Sequence, residues 1–371
     1  MKSLLEQEKT DEKRSVVLVA PVPPPYGGIS NWTKMIMEYS RENTNVEIFS
    51  LDISPKKRVT EGRNLLSRVF ASGFKMLNEL KELKAFIRKN RINIIHLTTS
   101  GSLALIRDYF FSRMVSHNNA KLVYHIRFGR VPEISRRRSL EFRFLSSVIK
   151  KSFCTIAIDE NTYDTLKQHF PNKKIMFVPN PFDFKKIQGI NSKHRNTQKR
   201  IIYVGWVIKS KGIEDLINAW NLIKSNYPEY SLDFVGPIDE NYRNKLQDEF
   251  ELSRVNICGE KENSVALEMV AASEIFVLPS HTEGFPNSVL EAMALQKPII
   301  ATNVGAIPFM LSDNSGIVVQ KKRIDELSNS IKLLLDDKLL RDRISENAKK
   351  RAANFSIDSI FLQYEKIWFD K

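Results

Sequence analysis

The sequence predicts an α/β protein made of two doubly wound, Rossmann-like units. Short apolar runs alternate with stretches of helical period along most of the chain. The order strand, glycine turn, helix start occurs twice, near residue 15 and again near residue 200. A length of 371 residues with 42% hydrophobic side chains is enough for two cores.

The first unit opens with residues 15–20 (SVVLVA), a buried-strand pattern. A proline-rich loop follows, then Gly27, Gly28 and a helix through about residue 42. Ligands bind at the C-terminal ends of such strands, where a glycine lets backbone approach a phosphate closely. Further strands are expected at 46–51, 94–97, 121–126, 155–158 and 175–178. Residues 63–89 mix apolar and basic side chains at helical period, which suits a solvated helix packed on the sheet or a membrane-surface helix. Arg136, Arg137 and Arg138, followed by Leu140, Phe142, Phe144 and Leu145, form a second basic and apolar cluster. Together these segments point to peripheral contact with an anionic membrane. His125 sits near the end of strand 121–126, with Arg127 just beyond it. A lone histidine in an apolar strand is usually a packed one, but this one emerges at the same edge as Gly28. His96 ends a neighbouring strand. His117, His169, His194 and His281 form no metal-ligand spacing, and no metal is expected.

Residues 177–183 (FVPNPFD) close the first unit, and 185–200 is polar and basic, as a linker or exposed loop is. The second unit restarts at Arg200, with Gly205, Trp206, Lys209, Lys211 and Gly212 in its turn and Ile213, Leu216, Ile217 and Trp220 on one helix face. Strands are expected at 231–236, 255–259, 275–280, 298–302 and 316–319, then a helical stretch over 324–353 and a capped amphipathic helix from Ser356.

Within the second unit one stretch carries the chemistry. Residues 274–280 form an apolar strand running into the loop His281-Thr282-Glu283-Gly284-Phe285-Pro286, and Asn287-Ser288-Val289-Leu290-Glu291-Ala292-Met293-Ala294 continues at helical spacing. Gly284 permits close approach, Pro286 stiffens the loop, and Asn287 or Ser288 is expected to cap the helix. A helix start of this kind favours phosphate. Glu283 would lie beside the reacting end of a ligand, and Glu291, one turn into the helix, can accept paired hydrogen bonds from ribose hydroxyls. The spacing alone also fits two solvated helix-end glutamates.

The whole string, with Pro298-Ile299-Ile300-Ala301-Thr302 and Gly305 behind it, resembles the nucleotide-sugar loop of the retaining glycosyltransferases of family 4, which have the two-domain GT-B fold. The resemblance implies two Rossmann-like domains facing a central cleft, 1–182 for the acceptor and 183–354 for the nucleotide sugar, with residues 355–371 as a helix crossing back to the first domain. It implies a nucleoside diphosphate sugar as donor substrate, no cofactor, and a glycan or lipid-linked acceptor. Lys211 falls on the lysine of the family's Gly-Arg-x-x-x-x-Lys-Gly pattern. The arginine position is Trp206 here, a departure that puts the family's two-cation clamp in doubt, with Lys209 or an arginine from the first domain such as Arg127 as the candidates to replace it. Gly27, Gly28, Gly205, Gly259, Gly284, Phe285, Pro286, Asn287, Ser288, Val289 and Glu291 fall where the family holds the donor. His125 would orient the sugar, Arg127 would face the acceptor, and Glu283, His125 and Lys211 form the catalytic group. Whether Glu283 ever acts as a nucleophile stays open; the resemblance favours front-side attack. A nucleotide-sugar epimerase of the same fold, or a catalytically silent binding protein with Trp206 as its signature, are the alternatives.

Charge sharpens the division of labour. Residues 1–180 hold 31 Lys+Arg against 17 Asp+Glu, and the remainder is balanced at 26 each, so the net +14 lies wholly in the first half. A basic half suits anionic lipid or a phosphorylated substrate; no helix-turn-helix, RNA-recognition or zinc-finger pattern supports nucleic acid. Residues 1–14 do not resemble a secretory leader, and no run approaches the roughly 20 apolar residues of a membrane span. Cys154 and Cys258 are expected as free thiols in a reducing cytoplasm.

Overall fold

The computed structural model describes residues 14–24, 27–54, 80–86, 92, 94–116, 120–190 and 199–370. Most of the basic segment 63–89, together with His117 and His194, lies outside them. Among the described residues the chain forms two parallel six-stranded sheets. The first holds β1 (Ser15–Ala20), β2 (Glu47–Asp52), β3 (Ile94–Thr99), β4 (Lys121–Ile126), β5 (Cys154–Ala157) and β6 (Ile175–Phe177) in the order β2-β1-β3-β4-β5-β6. The second holds β7 (Arg200–Val204), β8 (Ser231–Val235), β9 (Val255–Gly259), β10 (Ile275–Leu278), β11 (Ile299–Thr302) and β12 (Ile317–Val319) in the order β12-β11-β10-β7-β8-β9. This is the two-domain α/β architecture that the alternation predicts.

Period-2 packing explains why the strands read as unbroken apolar runs. In β1, Val17 and Val19 pack on one side with Leu97, Tyr124 and Phe111, while Val16 and Leu18 pack on the other with Trp32 and Ile36. In each sheet the chain steps outward from its first strand and then returns to that strand's other side. The reversals fall between β1 and β3 and between β7 and β10, where crevices open at the strand ends.

The chain crosses between domains twice, and the crossings are bonded to each other. Phe182 N–H donates to Phe355 O at 2.7 Å, and Ile357 N–H donates to Phe182 O at 2.9 Å. The helix Ile357–Phe369 then buries Ile357, Ile360, Phe361, Tyr364, Ile367 and Trp368 against Val16, Leu18, Trp32 and Ile36 of the first domain. Each large side chain contributes about 1.5–3 kcal/mol by burial. The Ser356 cap, which accepts from Ser359 N–H at 3.3 Å, contributes about 1 kcal/mol, so packing fixes this helix.

Two expectations need correction. The helical stretch over 324–353 is two helices, Ile324–Asp336 and Lys338–Ala352, because Asp337 takes an extended backbone and its carboxylate caps the second through Leu340 N–H at 2.8 Å. In the cluster after Arg138, Leu145 is buried and Phe142 and Phe144 pack against the first-domain core; Leu140 alone of the four is exposed, at 67%. The helix Leu140–Lys151 turns the others inward.

Candidate active site at the cleft

The crevice between β7 and β10 is built by two loops held together by backbone. After β7 a tight turn, Lys209–Lys211, ends in Gly212 at φ +70°, where a Cβ would overlap the Pro279 carbonyl oxygen at the end of β10. His281 N–H donates to Ser210 O at 3.0 Å, and the His281 ring meets Asp215 Oδ2 at 2.7 Å. This clamp brings Lys211 to the glutamate loop. Lys211 Nζ donates to Glu283 Oε1 at 2.7 Å, and Ser280 Oγ donates to the same oxygen at 2.7 Å. Lys209 turns away: its side chain is 71% exposed and pairs at 3.7 Å with Glu214. The two lysines therefore separate, and Lys211 is the one in the crevice.

The helix Asn287–Ala294 starts directly behind Glu283, with its first intrahelical bond from Leu290 N–H to Pro286 O at 3.4 Å. The backbone amides of Asn287, Ser288 and Val289 precede that bond and face outward from the helix start. Phe285 and Val289 bury their side chains in the second core, so these positions offer backbone only. The expected Asn287 or Ser288 cap is not formed: Pro286 takes the N-cap position without a side-chain bond. Asn287 Oδ1 instead accepts from Asn180 Nδ2 at 3.1 Å, and the same amide donates to Phe285 O at 3.1 Å. Asn180 belongs to the 177–183 turn, so the helix start is braced from outside its own unit.

Glu291 is half-buried one turn further on. Burial pushes its carboxyl up to about 7, against the opposing pull of Lys186 and a hydrogen bond with Asn263. A carboxyl raised in this way is protonated at lower pH and accepts paired hydrogen bonds from two vicinal hydroxyls only once ionised. The folded-state value lies above the unfolded one, so this group favours the folded chain most below about pH 4.5 and loses that contribution as pH rises through 7. Nucleotide affinity is expected to rise across the same interval in the wild type and to stay flat in Glu291→Gln, as read by isothermal titration from pH 6 to 8. Parallel slopes would remove Glu291 from the ribose.

Across the cleft the first domain presents β1 and β4. The helix Gly28–Asn43 starts at Gly27 with no side-chain cap, and a Cβ on Gly28 would meet no atom within 4 Å, so this start is open. Beyond β4, Gly129 packs against the Glu283 backbone so closely that a Cβ there would overlap the Glu283 carbonyl oxygen. A Cβ on Gly284 would lie 2.8 Å from Ile158 Cδ1 and 3.4 Å from Arg127 O. The two loops thus meet backbone to backbone. Gly205 and Gly259 lie at the ends of β7 and β9, on the same edge of the second sheet.

His125, near the end of β4 in the first sheet, is fully buried, in a chain of donors that crosses from the last helix. Trp368 Nε1–H donates to His96 Nδ1 at 3.0 Å, and His96 Nε2 faces His125 Nδ1 at 3.0 Å. An indole nitrogen only donates, so His96 Nδ1 accepts, its Nε2–H donates to His125 Nδ1, and the hydrogen of His125 lies on Nε2. Burial, with the nearby Arg127 charge, holds both rings neutral, lowering His96 to about 3 and His125 well below its ordinary value. Arg127 is 9% exposed, lies 4.8 Å over the Trp32 ring and bonds to Tyr364. Sequence reasoning did not assign site roles to Ser280, Asn180, Trp32, Tyr364 or Trp368. Ser280 had a local signal, the strand end beside Glu283; the others act across about a hundred residues or more. Among the described residues no group of three His, Cys, Asp or Glu side chains is placed to hold a metal.

Comparison with known proteins places this geometry. Residues 185–351 match the family model described as glycosyl transferases group 1. The capsular polysaccharide biosynthesis glycosyltransferase CapM of Staphylococcus aureus is 31% identical over 227 residues, covering 60% of each chain. The N,N'-diacetylbacillosaminyl-diphospho-undecaprenol alpha-1,3-N-acetylgalactosaminyltransferase of Campylobacter jejuni is 26% identical over 239 residues, covering 64% of this chain and 62% of that protein. The chain spans about 60% of the length of the curated relatives it matches. Sucrose-phosphate synthase from Thermosynechococcus elongatus shares the fold, with a TM-score of 0.75 at 18% identity over 96% of this chain and 98% of that one. The two sheets are therefore a GT-B fold, and residues 185–351 of the chain are similar to the glycosyl transferases group 1 family.

Proposed function

We propose that the protein is a retaining, metal-independent hexosyltransferase of glycosyltransferase family 4 that moves a sugar from a nucleoside diphosphate sugar to a hydroxyl, in cell-surface polysaccharide or glycolipid assembly. The observation that carries this is the Lys211, Glu283 and Ser280 cluster at the crevice of the second sheet, beside a helix start and against the Arg127–Gly129 loop of the first. Breaking the anomeric bond builds positive charge on the sugar and negative charge on the leaving diphosphate. Lys211 and the amides of Asn287, Ser288 and Val289 stabilise the diphosphate, Glu291 takes the ribose, and Glu283 faces the sugar. The donor phosphate itself assists removal of the acceptor proton, so attack comes from the leaving-group side and configuration is kept. Gly27 and Gly28 close on the donor from the first domain, and His125 sits behind them.

The acceptor is a glycan or lipid-linked hydroxyl. The C. jejuni relative acts, by its name, on a diphospho-undecaprenol sugar. In this chain Leu103, just before the helix Ala104–Ser116, Ile106 and Phe110 on that helix and Leu140 on the neighbouring helix Leu140–Lys151 are exposed, with Arg136, Arg137 and Arg138 close in sequence to Leu140, which suits an anionic membrane at the inner face. No helix of the described residues is long and apolar enough to cross a membrane.

The test is turnover of a panel of labelled nucleotide sugars with anionic vesicles carrying membrane-extracted acceptor lipids. Transfer is expected to place label on the lipid, with the protein sedimenting with the vesicles and the anomeric configuration unchanged. Free epimer without acceptor would show an epimerase. Binding without turnover would show a silent protein, the reading that Trp206 favours.

A further inference from the structure

We propose that Arg127 and His125 form a receptor for a phosphoryl oxygen, supplying from the first domain the second cation of the cleft. The inference rests on the transferase reading for the identity of the phosphate, but not for the existence of the receptor.

A diphosphate carries about two negative charges, and the second domain offers one crevice cation, Lys211, which is also paired with Glu283. Lys209 points to solvent and Glu214, and the side chain at 206 is an uncharged tryptophan. One charge is left without a partner there. In the first domain the opposite imbalance exists. Arg127 is 9% exposed, and no described carboxylate pairs with it; its neighbours are the Trp32 ring and the hydroxyl of Tyr364. A buried guanidinium without a counter-charge is costly, which is why burial lowers Arg127 to about 10.

The hydrogen-bond directions single out where an anion fits. The Trp368 and His96 relay leaves the hydrogen of His125 on Nε2. That nitrogen faces Arg127 Nη1 at 3.4 Å. Both are then donors, and two donors do not bond each other, so the separation is longer than the 3.0 Å links behind it. An oxygen bearing negative charge satisfies both at once. His125 lies near the end of β4 and Arg127 just past it; the Arg127 side chain lies over Trp32 of the helix that starts at Gly28, and its backbone carbonyl lies against Gly284.

Two phosphates share this chemistry, that of the donor nucleotide and that of a lipid diphosphate acceptor, and the experiment separates them. Thermal shift and titration are run on the full chain with inorganic pyrophosphate, with UDP, GDP, ADP and dTDP, and with undecaprenyl diphosphate sugar in detergent, for wild type, Arg127→Met and Arg127→Lys. In phosphate-free buffer Arg127→Met is expected to melt no lower than wild type, since it removes an uncompensated buried charge. Its affinity for pyrophosphate is expected to fall roughly 10- to 100-fold, with partial rescue in Arg127→Lys. A parallel loss for a nucleoside diphosphate assigns the oxygen to the donor; a loss confined to the lipid substrate assigns it to the acceptor. Wild-type affinity of Arg127→Met for every one of these ligands overturns the receptor. A melting point that collapses without ligand, with no rescue by lysine, makes Arg127 a packing residue and also overturns it. If wild type binds pyrophosphate in an Arg127-dependent way but no nucleotide, the transferase reading fails while the receptor stands.

Discussion

Lys211→Met is expected to lower kcat/KM by roughly 10²- to 10³-fold while leaving the fold intact. The leaving diphosphate gains charge as the anomeric bond breaks, and a cation already fixed beside it needs no reorganisation. Lys211 is fixed in this sense: Gly212 locks its turn under the Pro279 carbonyl, and Glu283 holds Nζ at 2.7 Å. The stability cost is smaller. Both side chains keep some exposure, and a partly exposed ion pair contributes about 1 kcal/mol or less. The catalytic loss corresponds to about 3–4 kcal/mol, so activity falls well before the fold does. Steady-state kinetics beside a thermal melt checks this. Equal losses in rate and stability would make Lys211 a structural brace.

Glu283→Gln is expected to separate binding from turnover. Glutamine keeps the volume and one acceptor for Ser280 Oγ, but it removes the negative charge that ties down Lys211 and that we propose faces the sugar. Loss of the charge opposite a developing oxocarbenium centre costs on the order of 10²- to 10³-fold in kcat. Lys211, released from its carboxylate, is free to bind phosphate, so affinity for nucleoside diphosphate is expected to hold or to rise. A fall in kcat with nucleotide affinity kept marks an interaction made at the transition state. If nucleotide affinity falls together with kcat, Glu283 serves only to place Lys211.

What the sequence disclosed and what it hid divide by range of interaction. Both strand-turn-helix units were legible, because apolar runs and glycine turns are local, and the alternation was enough to expect two parallel sheets. Lys211 and Glu283 were legible as members of separate loops. Their direct contact was not, since it depends on β10 returning beside β7, a reversal of strand order with no local mark. The Asn287 or Ser288 cap failed for a related reason: Asn180, 107 residues away, takes the Asn287 side chain and leaves Pro286 at the cap. The break at Asp337 had a local signal, an aspartate before Lys338, Leu339 and Leu340, but the surrounding apolar period masked it. His125 stood out by its strand-end position, whereas the relay that sets its tautomer spans 272 residues from His96 to Trp368 and belongs to the folded chain alone.

The central claim is that a nucleoside diphosphate lies in the cleft, held chiefly by the second domain. A crystal structure of the protein with its preferred nucleoside diphosphate tests it most directly. The account predicts a phosphate oxygen within salt-bridge distance of Lys211 Nζ, the amides of Asn287, Ser288 and Val289 pointing at the same diphosphate, and both ribose hydroxyls on Glu291. A nucleotide seated on the first domain alone, or with its ribose away from Glu291 and its phosphates beyond the reach of Lys211, would contradict it.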